Sequence, residues 1–171
     1  QNICNAESAR NLTISKEEDS AGISEEFGAE DDTHHQQQQA LADKLVAASF
    51  ADTVFFTNSG TESCELAVKM ARKYWYDKGQ PEKTDIIAFA GSFHGRSSAG
   101  IAAAGSEKMT KGFGPLLPGF VHLDLGDSDA LEAAITDKTA AIMVEPVQGE
   151  GGIRAVPDAE LQQMRALCDQ H

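Results

Sequence analysis

Three short segments of this chain combine side chains and backbone freedom in ways that can do chemistry. They are Ser59-Gly60-Thr61-Glu62, then Gly91-Ser92-Phe93-His94-Gly95-Arg96, then Glu145-Pro146-Val147-Gln148-Gly149-Glu150-Gly151-Gly152. The first joins an apolar run to a helical pattern. A turn of small residues opening a helix leaves backbone N–H groups unpaired at the positive end of the helix dipole, where an anion such as phosphate can sit. Ser59 and Glu62 also have the spacing of a capping box, which needs no ligand at all. Both readings stand at this point. Two nucleotide-binding patterns are excluded, because the chain has neither G-x-x-x-x-G-K-[ST] nor a G-x-G-x-x-G after a strand.

The second segment places an aromatic face, an imidazole and a guanidinium at one strand end. Phe93 can be an ordinary core residue, or it can offer a flat face to a planar ring. Arg96 can be solvated, or it can fork onto a carboxylate. His94, a lone histidine, reads as structural. No G-x-S-x-G is present, so a nucleophile elbow is not supported. In the third segment Glu145 abuts an apolar strand, where an unpaired charge is costly, so a cationic or hydrogen-bonding partner is expected for it. Glu150 lies in a glycine loop that can equally be a plain connection with a solvated acid.

The elements that must position these residues follow from periodicity. Residues 37–49 carry Leu41, Leu45, Val46 and Ala48 at helical spacing and predict a helix with one buried face. Residues 53–57 are β-branched and aromatic and predict a strand. Residues 61–76 predict a helix with Leu66, Ala67, Met70, Ala71 and Tyr74 on one face. Glu65, Lys69, Arg72, Lys73 and Tyr76 fall on the other, with Glu65 and Lys69 spaced as a pair. Residues 85–90, 121–123 and 139–144 read as strands, the first and last apolar enough to be covered on both faces. Residues 97–105 form a small-residue stretch able to pack closely, and 111–119 a loop. Residues 128–135 form a helix capped by Asp127 or Ser128, and a last helix starts at Pro157 and runs to about residue 170. Strand, turn and helix alternate at least three times, which favours a parallel α/β architecture with ligands beyond the carboxyl ends of the strands.

Composition bounds the possibilities. The 171 residues carry a net charge of −13, with −7 in residues 1–35 and −6 in the remainder. Without a clustered basic surface, nucleic acid is not an expected partner. Cys4, Cys64 and Cys168 are too few and too scattered for a disulfide framework or a metal cluster, which fits a reduced, cytoplasmic setting. No apolar run approaches bilayer length and no signal-peptide pattern opens the chain, so no membrane association is expected. Residues 1–36 read as an acidic, polar, poorly packed lead-in, and the His34-His35 pair lacks the further ligands of a metal site.

Taken together, FFTNSGTE with ELAVKMARKY, then GSFHGRSSAGIAAAGSEKMTKGFGPLLPGF, then AAIMVEPVQGEGGI resemble the class III, fold type I pyridoxal-phosphate-dependent aminotransferases, from about Gln39 to His171. The resemblance implies that residues 37–171 are part of the mainly parallel-sheet large domain of that α/β fold. It implies pyridoxal 5'-phosphate as cofactor, with Gly60 and Thr61, and Ser59 beside them, on its phosphate and Phe93 stacked on its ring. Arg96 would bind the substrate α-carboxylate. Glu150 would lie near the substrate, where it helps accept both the amino donor and 2-oxoglutarate, and Glu145 would be a supporting acid. The donor implied first is acetylornithine; ornithine, succinylornithine and 4-aminobutyrate are alternatives within the family. A homodimer is implied in the same way.

Two departures from the family accompany the resemblance. No lysine here has the context of the Schiff-base lysine, and the aspartate for the pyridine nitrogen is not identifiable, so no catalytic residue is assigned and the chain alone is expected to be inactive. Residues 1–36 do not resemble the family's N-terminal segment. Two readings of another class remain: a non-catalytic phosphate-binding α/β fragment, and a phosphosugar- or nucleotide-binding domain, which gives no reason for Phe93 and Arg96.

Overall fold

In the computed structural model, residues 29–171 are described, with side chains from residue 35 onward. The expectations for residues 1–28 and for the His34 side chain lie outside the described residues. Among the described residues two units are distinguished, one containing residues 29–56 and the other residues 57–171.

In the first unit, helix α1 spans Ala29–Ala47. Alanine, glutamine, leucine and lysine are strong helix formers, and Gln39 donates to Asp43 one turn on at 2.8 Å. The helix begins eight residues before the expected residue 37 and so crosses into the segment read as a lead-in. Nor does it have the expected buried face: Leu41 and Leu45 are exposed. The strand expected at residues 53–57 is not formed, and Phe55 and Phe56 are exposed. β-propensity describes a side chain's fit to a pleated surface and supplies no neighbouring chain to pair with.

The second unit is built on a parallel three-stranded sheet, β1 (Asp85–Phe89), β2 (Phe120–Leu123) and β3 (Thr139–Met143), in the order β2-β1-β3. The central strand aligns Ile87 with Val121 on one side and with Ile142 on the other. Helix α2 spans Gly60–Asp77, α3 Ser98–Ala104, α4 Glu107–Thr110 and α5 Ser128–Ala134. A short antiparallel hairpin of β4 (Val147–Gln148) and β5 (Arg154–Ala155) precedes α6, which spans Asp158–Gln170. Asp127 caps α5 by accepting from Ala130 N–H at 2.9 Å.

Successive residues of β1 point to opposite faces, and a core forms on each. Ile86 packs with Val68 of α2, Ala99 and Ala103 of α3, and Met143. Ile87 and Phe89 pack on the other face with Leu131 of α5, Val144, Val156, and Met164 and Leu167 of α6. Burial on both faces is what made these strands legible as continuous apolar runs. The chain leaves β1 toward α3 on one face and leaves β3 toward α6 on the other. The carboxyl ends of these neighbouring strands therefore flank a topological switch point, the crevice where doubly wound sheets bind ligands.

Helix α2 is fixed by its carboxyl half. Trp75 Nε1 donates to Ala140 O at 2.8 Å, Arg72 Nε to Thr84 O at 3.1 Å and Arg72 Nη2 to Pro118 O at 2.6 Å. Those three carbonyls lie at or just before the starts of β3, β1 and β2. The helix accordingly runs against the strands, and its amino end lies at their carboxyl edge. Arg72, expected on the solvent face, is instead an anchor that also covers the Phe120 ring. Glu65 does not use the expected Lys69 partner; it accepts from Ala99 N–H at 3.3 Å, tying α2 to α3.

Candidate functional site

The first turn caps α2 through Ser59, while the Glu62 carboxylate reaches back one residue past that cap, to Asn58. Ser59 Oγ accepts from Glu62 N–H at 3.2 Å and Glu62 Oε2 accepts from Asn58 N–H at 3.0 Å. The N–H groups of Gly60 and Thr61, the first two of α2, have no acceptor within the helix. A Cβ placed at Gly60 would meet nothing within 4 Å, so the space beside this residue is open. Capping therefore does not use the first two amides of α2.

The second turn leaves β1 and touches the first. Gly95 has φ +98°, and a Cβ built there would stand 3.3 Å from Thr61 Oγ1. Phe93 is 37% exposed, so its ring is not a core residue. Its N–H donates to Glu145 Oε2 at 3.0 Å, and Gly149 N–H donates to Glu145 Oε1 at 3.4 Å. The partner expected for Glu145 is therefore a pair of backbone amides from both loops. Arg96 is exposed and makes no ion pair among the described residues. Glu150 is exposed at the tip of the β4–β5 hairpin. The structure thus gathers Thr61, Gly95, Phe93, Glu145 and Gly149 along one edge of the sheet, with Arg96 and Glu150 on loops leaving that edge.

Two residues of this edge stood outside the sequence expectations. Ser92 is buried, and Gln148 is fully buried, with its Nε2 donating to Ala90 O and to Ser92 Oγ, each at 3.0 Å. Their only signal in the sequence is a small polar residue and a neutral amide set among glycines beside apolar strands.

His94 is 2% exposed and its Nε2 has no hydrogen-bond partner among the described residues. Burial pushes its pKa below the ordinary 6.5, with the Glu145 carboxylate pulling the other way. The unfolded chain therefore binds this proton at higher pH than the folded one. The stability linked to His94 is fully present above the ordinary histidine range and is lost as pH falls through the lowered folded value. Urea midpoints across the acid range should show a shallower fall for His94→Gln than for the parent sequence; identical slopes would assign the loss to other groups.

Among the described residues no three or more His, Cys, Asp or Glu side chains are grouped to hold a metal ion, and no helix is long and apolar enough to cross a membrane. Burial pushes the Cys168 thiol pKa up, which disfavours a reactive thiolate there.

The family model for aminotransferase class III matches residues 26–171. Over 134 residues the chain is 69% identical to the acetylornithine aminotransferase of Rhodobacter capsulatus, covering 78% of this chain and 34% of that protein. It is 58% identical to the acetylornithine aminotransferase of Agrobacterium fabrum over the same coverage. Among solved structures it is similar to the ornithine aminotransferase of Toxoplasma gondii, whose active site is described as partly occupied by PLP. The TM-score is 0.72 and the identity 31%, over 77% of this chain and 32% of that one. The chain therefore spans about a third of the length of the curated relatives it matches. With the family model matching most of the sequence and a parallel α/β sheet carrying its turns on one edge, the chain belongs to the class III aminotransferases.

Proposed function

We propose that this chain is the central part of the large domain of a pyridoxal-phosphate-dependent acetylornithine aminotransferase. Residues 37–171 belong to that domain and 1–36 form a lead-in to it. The supporting observation is the single edge on which the α2 amino terminus, Phe93 and Glu145 come together, in a chain 69% identical to an acetylornithine aminotransferase. In this reading the amides of Gly60 and Thr61, beside Ser59, hold the cofactor phosphate in the field of the α2 dipole. Phe93 presents its half-exposed ring to the pyridine, and Glu145 keeps that ring in place through the Phe93 N–H. Arg96 binds the substrate α-carboxylate, and Glu150 faces the substrate from the hairpin tip.

When bound, pyridoxal 5'-phosphate supplies the electron sink for proton removal and carries the amino group between the two substrates. The residues of this chain bind and orient; none is assigned the proton transfer. The covalent lysine and the aspartate for the pyridine nitrogen come, in this reading, from sequence outside this chain. Within a complete polypeptide the protein is a cytoplasmic homodimer acting in arginine biosynthesis.

The test is turnover by the complete polypeptide loaded with cofactor. Glutamate should form from acetylornithine and 2-oxoglutarate faster than from ornithine, succinylornithine or 4-aminobutyrate. Preference for another donor would change the substrate assignment, and absence of glutamate with every donor would overturn the activity.

A further inference from the structure

Gln148 is 0% exposed, yet its side chain bonds to residues 58 and 56 positions earlier in the chain. Burying a carboxamide is unfavourable unless its polar atoms are paired. Both bonds of its Nε2 go to the loop leaving β1, at Ala90 O and Ser92 Oγ. A backbone carbonyl only accepts, which fixes the amide with its nitrogen toward Ala90. Oε1 then lies against two glycines, with no donor among the described residues. A Cβ would stand 3.1 Å from it at Gly91 and 2.9 Å at Gly151. At Gly151 that Cβ would also be 2.8 Å from Gly91 O. The β1 loop and the hairpin therefore close around a single amide, and closure requires that both neighbours lack side chains.

The two acceptors bracket Gly91, where φ is +82° and the chain turns; Phe93 follows immediately, with its N–H on Glu145. Gln148 sets how the chain enters Phe93, and Glu145 holds it on arrival. We propose that Gln148 is a positioning residue that orients the Phe93 ring for the cofactor without touching it. This inference rests on the proposed cofactor role of Phe93.

The test uses the complete polypeptide and Gln148→Glu, which keeps the shape while removing both donors. In the cofactor-free protein, hydrogen exchange should quicken for residues 91–95 and stay unchanged in β1 and α2. Titration with pyridoxal 5'-phosphate, followed by its visible circular dichroism, should show about tenfold weaker binding than the parent. The deficit should shrink as pH is lowered, because a protonated carboxyl can again donate to Ala90 O. If Gln148→Glu does not fold, Ser92→Ala removes one acceptor alone and should move exchange and affinity in the same direction by less. Parental affinity in the variant that folds, or exchange rising uniformly across the sheet, would overturn the proposal. If the parent itself takes up no cofactor, the proposed function fails, while exchange in the cofactor-free protein still decides whether Gln148 orders the loop.

Discussion

Replacing Gly100 with alanine is expected to destabilise the fold by about 3 kcal/mol, the upper part of the usual range for overpacking a core. Helix propensity alone argues the opposite, since alanine is favoured over glycine by about 1 kcal/mol inside a helix. Packing decides the sign. A Cβ at Gly100 would stand 2.6 Å from His94 O and 2.8 Å from both Gly95 C and Gly95 O. These are backbone atoms of the turn that touches Thr61, so relief requires moving either α3 or the turn itself. Gly100 also gives its N–H to the Ser97 cap at 3.2 Å, which limits how far the helix can shift. Urea unfolding should therefore show a lowered midpoint with an unchanged slope. Gly60→Ala, where nothing lies within 4 Å, is the control and should leave the midpoint close to the parent's. Equal midpoints for both variants would mean that the close approach of α3 to the His94–Gly95 backbone is not maintained in solution.

Loss of Arg96 is expected to act on turnover and leave the fold alone. Its side chain is exposed and makes no ion pair among the described residues, so Arg96→Ala should melt with the parent protein. In the complete enzyme, two charge-assisted hydrogen bonds to a carboxylate, together worth about 4 kcal/mol, correspond to about a thousandfold in kcat/KM. The loss should appear in kcat/KM for the amino donor, whose α-carboxylate Arg96 is proposed to bind. Arg96→Lys should recover only part of it, since an ammonium is a point charge and cannot fork. An unchanged kcat/KM for the amino donor would take Arg96 away from that carboxylate.

The elements read most accurately from sequence are those whose burial is imposed from both sides. β1 and β3 end within a residue of their expected limits, because an apolar run between two helical layers leaves few other placements. Where burial depends on a partner, pattern alone misleads. Residues 53–57 have strand composition but no strand, and α1 has apolar spacing but exposed leucines. The β4–β5 hairpin was not foreseen because two-residue strands carry no period to detect.

The site shows the same division. Glu145 was legible because a carboxylate beside an apolar strand needs a partner; that the partner is Phe93 N–H, 52 residues away in sequence, depends on β1 and β3 being neighbours. Arg72 and Glu65 were read as surface charges because a helix projection shows which residues share a face, not which backbone carbonyls or amides that face will meet. Gln148 carried no charge to flag it, and its importance arises only from the two loops that close around it.

The α2 amino terminus and Phe93 are proposed to form two walls of one cofactor site. The most direct measurement is a crystal structure of the complete polypeptide grown with pyridoxal 5'-phosphate. The phosphate should lie within hydrogen-bonding distance of the Gly60 and Thr61 amides and the pyridine should stack on Phe93. A cofactor bound with its phosphate away from α2, or with Phe93 turned from its ring, would contradict it.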